Sequence, residues 1–271
     1  MGLTRQQVPR VRIQRAKREM FVPDLICHEA CGDRMKIIDL THTLEAGSPY
    51  WPEKAPGSPF HTIVATTHGE DGNFTLNFAM PEHFGTHLDA PLHFVPNRES
   101  VDQIPVERFF APAVVIDVSS AVGLDADYRV TVQDIERWID GHGAIPSGAL
   151  VFFRTGWAAR WPSQERYMNA DADGVLHFPG LSLAAASFLL DHAQPVGIGI
   201  DTASVDYGPS RDCPVHNLTL PVGIYHLENV ANLDRLPATG FNVIALPLKL
   251  GGGSGAPARV VALIPSESEI D

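Results

Sequence analysis

The segment His83-Phe-Gly-Thr-His87-Leu-Asp89-Ala-Pro-Leu-His93 places three imidazoles and one carboxylate within eleven residues, a density that restricts the backbone sharply if the cluster acts together. On one straight strand, at about 3.3 Å per residue, His83 and Asp89 would stand roughly 20 Å apart, too far to share one ion. The segment must therefore turn. A single helical turn would bring His83 and His87 to one side, Gly85 permits close backbone approach, and Pro91 keeps a helix from continuing. Asp89 then completes a two-histidine, one-carboxylate set with open coordination positions, which a catalytic divalent ion needs. His93 is expected to stand beside the ion without ligating it, a neutral imidazole free to accept and return a proton.

Around this segment, strands are predicted from Lys36 (KIIDLTH) and over 60–66 (FHTIVAT), 74–80 (FTLNFAM), 113–118 (AVVIDV), 149–155 (ALVFFRT), 196–201 (VGIGID) and 241–248 (FNVIALPL). In FTLNFAM the apolar side chains of Phe74, Leu76, Phe78 and Met80 alternate as on a half-exposed sheet, whereas AVVIDV and VGIGID read as strands buried on both faces. Helices are predicted over Val132–Asp140, capped by Thr131, and Leu183–His192, capped by Ser182. Helices that precede buried strands imply an α/β domain, and the early run of strands adds an antiparallel portion, so the sheet is mixed. The polar, proline-bounded stretch 161–180 reads as a long loop and a candidate pocket wall.

The formal net charge of -12 argues against nucleic acid or anionic membrane as the partner, because an acidic surface repels both. A small molecule fits better. No stretch approaches the roughly 20 apolar residues of a membrane span, and the N-terminus lacks the apolar core of a signal peptide. Three cysteines, Cys27, Cys31 and Cys213, are too few for a disulfide framework. A cytoplasmic setting is expected. Cys27 and Cys31, with His28, lack an obvious fourth zinc ligand and read as incidental. Residues 1–34 are set apart as a flexible arm whose first eighteen residues carry six basic side chains and no acid. Residues 35–271 form the domain.

The segment HFGTHLDAPLHF resembles the signature of the cyclase family of metal hydrolases, which includes bacterial kynurenine formamidases and isatin hydrolases. The resemblance continues through DTASVDYG (201–208), His216, LENVANLD (227–234) and ALPLKLGGGSGAP (245–257), and so covers nearly everything from Lys36 onward. It implies a compact swivelling β/β/α-type domain, assembled as a homodimer or homotetramer. It implies His83, His87 and Asp89 as ligands, Asp89 bridging two ions in binuclear members, and His216 and Glu228 completing the second site. His93 matches the family's general acid and base.

The function expected is hydrolysis of a carbon–nitrogen amide bond, in a formamide or in a lactam such as isatin, by hydroxide on one or two divalent ions, zinc or manganese first. His93, titrating around 6 to 7, would impose an acidic limb on the rate. The longer 156–180 stretch points toward the isatin hydrolase branch. A metal-dependent cyclase or dehydratase is the alternative, and a non-catalytic binding protein on the same fold is a further one. LGGGSGAP lacks the Lys and Ser/Thr of a phosphate loop, and Ser254 sits in no G-x-S-x-G elbow. Trp51 and Phe60 read as core aromatics before they read as pocket walls.

Overall fold

The computed structural model describes residues 35–52 and 59–265; the arm of residues 1–34, with Cys27, His28 and Cys31, lies outside them. In chain order the strands are Lys36–Asp39 (β1), His61–Thr66 (β2), Thr75–Ala79 (β3), His87–Asp89 (β4), Phe110–Asp117 (β5), Arg129–Val130 (β6), Leu150–Arg154 (β7), Gly180–Leu181 (β8), Gly197–Ile200 (β9), Tyr225–Glu228 (β10), Phe241–Pro247 (β11) and Gly255–Ile264 (β12). Eight of them make one sheet in the order β1-β12-β11-β5-β7-β9-β10-β4, and β4 pairs again with β12. That last pairing closes the sheet into a barrel-like ring. The β5, β7, β9 and β10 pairings are parallel, and the rest are antiparallel, which is the mixed α/β sheet expected.

Closure explains why the central strands carry apolar residues on both faces. Successive side chains point to opposite sides of a strand: Val114, Ile116, Val151, Phe153, Ile198 and Ile200 pack outward against helices, while Ala113, Val115, Leu150, Phe152 and Tyr225 pack inside the ring. The helix Val132–His142 starts in a capping box between Thr131 and Asp134 and buries Ile135 and Trp138. The helix Leu183–His192 starts at Ser182, whose hydroxyl accepts from the Ala185 amide, and buries Ala185, Ala186 and Leu189. Both helices lie where the residue pattern puts them.

Two expectations are corrected. The β2–β3 hairpin pairs only with itself, and β3 is exposed along its whole length, so the alternation in FTLNFAM marks a protruding ribbon. The 161–180 stretch is less irregular than predicted: it contains a short helix, Gln164–Met168, which starts at Ser163 and buries Tyr167 and Met168.

Candidate metal centre

β4 and β10 carry the same three-residue pattern, His87-Leu88-Asp89 and His226-Leu227-Glu228. They run antiparallel in a register that sets Asp89 opposite His226 and His87 opposite Glu228. The alternation of a strand turns Leu88 and Leu227 into the barrel core and leaves the two histidines and two carboxylates together on the other face. All four are buried. His216 joins them from the helix Pro214–Thr219.

The expected helical turn at His83 is absent. The chain turns at Gly85, with φ of +67°, and a side chain added there would collide with Leu44. Glycine adopts that backbone without strain and leaves Leu44 in place. Asn229 fastens the turn: its Nδ2 donates to the Gly85 carbonyl at 2.8 Å, and its own carbonyl accepts from the Thr86 hydroxyl at 2.6 Å. His87 and Asp89 then converge as alternate residues of a strand.

Each imidazole is oriented by its far nitrogen. His87 Nδ1 lies 2.9 Å from the Gly85 carbonyl, an acceptor, so the ring donates there and points Nε2 inward, 3.2 Å from Asp89 Oδ1 and 3.5 Å from Glu228 Oε2. His216 Nδ1 is held at 2.7 Å by Asp206, whose carboxylate also accepts from the Val215 and His216 amides. His216 Nε2 thus faces Asp89 Oδ2 at 3.4 Å and Glu228 Oε1 at 3.5 Å. An outer partner that fixes the tautomer is the usual support of a metal-binding histidine. Burial opposes charge on His87, but the Asp89 and Glu228 carboxylates push it up to about 9. Burial likewise opposes charge on His216, and Asp206, Asp89 and Glu228 hold it well above the ordinary imidazole range. Asp89 sits well below the usual carboxylate range, because His87 and His83 outweigh its burial.

These residues suit a cation. Two carboxylates and three imidazoles share a buried pocket, and among the described residues Asp89 Oδ2 and His226 Nδ1 are buried atoms with no hydrogen-bond partner. Leaving such atoms unpaired is costly, so a positive charge between them relieves the strain.

His83 and His93 stand differently. His83 Nδ1 is 2.6 Å from Asp89 Oδ1, and its Nε2 is 3.0 Å from Ser254 Oγ. The first separation is one that a shared proton spans. The His93 ring stacks on His83 at 4.0 Å and keeps an exposed edge. Desolvation by its neighbours, aided by the charges of His83 and His216, pushes His93 down to about 4, well below the 6 to 7 expected from its residue type. It is therefore a free base at neutral pH.

The cluster opens on a cavity of about 380 Å³ with Tyr50, Trp51, Phe84, Phe94 and Met168 among its walls. Half-exposed Trp51 is a wall and not the core residue expected. Phe60 stacks behind Phe84 at 5.5 Å. Met168 makes part of the 161–180 stretch a wall as well. Three contributors escaped the sequence reading: His226, Asp206 and Asn229. The repeated His-Leu-acid triplet was the available signal for His226.

The Cyclase family model matches residues 38–207. An isatin hydrolase of Roseibium aggregatum is 34% identical over 85% of this chain and 92% of its own. A kynurenine formamidase of Salinibacter ruber is 29% identical over 84% of this chain and 97% of its own. Among solved structures, an isatin hydrolase bound to the product analogue thioisatinate superposes with a TM-score of 0.81, at 32% identity over 86% of this chain and 93% of that one. The chain belongs to the Cyclase family.

Proposed function

We propose that the protein is a metal-dependent hydrolase that opens the carbon–nitrogen bond of a small aromatic lactam or formamide, with lactams of the isatin type first. The observation that carries this reading is Asp89, whose two carboxylate oxygens face two separate donor groups, His87 on one side and His216 on the other, at 3.2 and 3.4 Å. In this reading His83, His87, Asp89, His216 and Glu228 hold one or two divalent ions, zinc or manganese. A divalent ion bound there would lower the pKa of a water and polarise a carbonyl oxygen.

The chain's own residues supply the rest. The aromatic walls hold a flat ring and keep bulk water from the reacting carbonyl. A ring nitrogen of His93 takes the proton of the attacking water and returns it to the departing nitrogen. Its unprotonated state at neutral pH suits the first half of that task. The named relatives support lactam and formamide substrates, and thioisatinate in a structural neighbour supports the lactam. The reading carries with it an assembly of two or four copies and a cytoplasmic setting. Among the described residues no helix is long and apolar enough to cross a membrane.

The test is a hydrolysis screen of isatin-type lactams and N-formyl anilines, run on chelator-treated protein with zinc or manganese restored. Turnover is expected only with metal, and faster on lactams. Equal turnover by metal-free protein would overturn the reading, and a preference for formamides would move the substrate to the other branch.

A further inference from the structure

Resting on the reading of a metal centre, we propose that His226 is a metal ligand, and that Asp89 Oδ2, His216 Nε2, His226 Nδ1 and Glu228 Oε1 form a closed four-donor position beside a more open one at His87. The argument begins with a hydroxyl. Thr219 Oγ1 lies 2.7 Å from the Val215 carbonyl and 2.7 Å from His226 Nε2. A hydroxyl has one proton, and a carbonyl can only accept. The Thr219 proton must therefore go to Val215, and His226 Nε2–H must donate to Thr219. His226 is left with its lone pair on Nδ1.

That lone pair faces another. His226 Nδ1 stands 3.7 Å from Asp89 Oδ2, beyond hydrogen-bond reach, and among the described residues neither atom has a hydrogen-bond partner, Asp89 Oδ2 otherwise facing only His216 Nε2 at 3.4 Å. Both residues are fully buried. Two acceptors facing each other in a dry interior call for a cation between them. The spacing fits one: the separations from Asp89 Oδ2 to His216 Nε2, from His216 Nε2 to Glu228 Oε1 and from His226 Nδ1 to Asp89 Oδ2 are 3.4, 3.5 and 3.7 Å. A tetrahedron with bonds of about 2.0–2.2 Å has edges of roughly 3.3–3.6 Å. Asp89, His216, His226 and Glu228 each offer a ligand atom within 4.8 Å of the others.

The consequence is an asymmetric pair. Four protein donors fill a tetrahedral position, as in structural zinc sites, whereas a position with fewer donors keeps room for substrate. The strand register builds this in, since the His-Leu-acid triplets of β4 and β10 set Asp89 opposite His226. The helix Pro214–Thr219 supplies both His216 and the threonine that fixes the His226 tautomer.

The experiment uses full-length protein stripped by chelator and titrated with zinc against a competing chromophoric chelator, with cobalt as a spectroscopic probe. Wild type is expected to show one tight and one weaker class of zinc site and the intense visible bands of tetrahedral cobalt. His226→Leu should weaken the tight class by at least about 100-fold and remove those bands, because it deletes a ligand. Thr219→Val should weaken it by roughly 10- to 100-fold, the usual cost of losing an outer partner, with an unchanged circular dichroism spectrum. Wild-type zinc affinity and cobalt bands in His226→Leu would overturn the proposal. Should His226→Leu not fold, Thr219→Val decides alone, and unchanged affinity overturns it. Wild type that takes up neither metal would overturn the metal-centre reading itself, which the variants leave untouched.

Discussion

Asp89→Ala is expected to lose both metal and turnover, the latter by on the order of 1,000-fold or more, because losing even an outer partner of a ligand typically costs about 10- to 100-fold and Asp89 faces both donor groups. The buried carboxylate is 3.2 Å from His87 Nε2 and 3.4 Å from His216 Nε2, so one substitution removes a donor from each side. Asp89→Asn separates charge from shape. It keeps the side chain's outline and loses the negative charge, and metal content should fall nearly as far. Elemental analysis of freshly purified variants, beside kcat, reads both quantities. Full metal content in Asp89→Ala would remove Asp89 from the centre.

Which parts of this arrangement were legible in the residues follows from their physical range. The capped helices rest on local rules, and Thr131 and Ser182 were readable as their caps. β1, β5, β7, β9 and β11 announced themselves by apolar runs, whereas β10 was not read as a strand. β12 was missed: its inward positions are Ala256, Ala258, Val260 and Ala262, and the alanines, which fit the ring interior, weaken the apolar alternation of its first half. The wrong local form at His83–His87 has a similar origin. Spacing alone favours a helical turn, but pairing of β4 with both β10 and β12 pulls His87–Asp89 into a strand, and no local pattern encodes a partner more than 130 residues away. His226 carried the His-Leu-acid triplet as a local signal, but that pattern does not name its partner. His226 becomes a neighbour of Asp89 only through register.

The second large effect is expected at His93. His93→Ala should retain metal while kcat falls by roughly 100- to 10,000-fold, the range for loss of a general acid and base. Two further readouts exclude a packing defect. Substrate affinity should change far less than kcat, and the pH profile should change shape. Burial and its histidine neighbours push His93 down to about 4, so its basic form is lost only as pH falls through that value. The acid limb of kcat/KM due to this group should therefore lie well below the 6.5 of a free imidazole, and the variant should lack it. Metal lost together with activity would make His93 a ligand, and an unchanged rate would mean that water is deprotonated without it.

Hydrolysis, as opposed to cyclisation or dehydration at the same centre, is tested most directly by turning over an isatin-type lactam in oxygen-18 water with metal-restored protein and weighing the product. One oxygen-18 atom in the new carboxylate, formed only when metal is present, is the predicted result; an unlabelled product, or equal labelling by chelator-stripped protein, would contradict it.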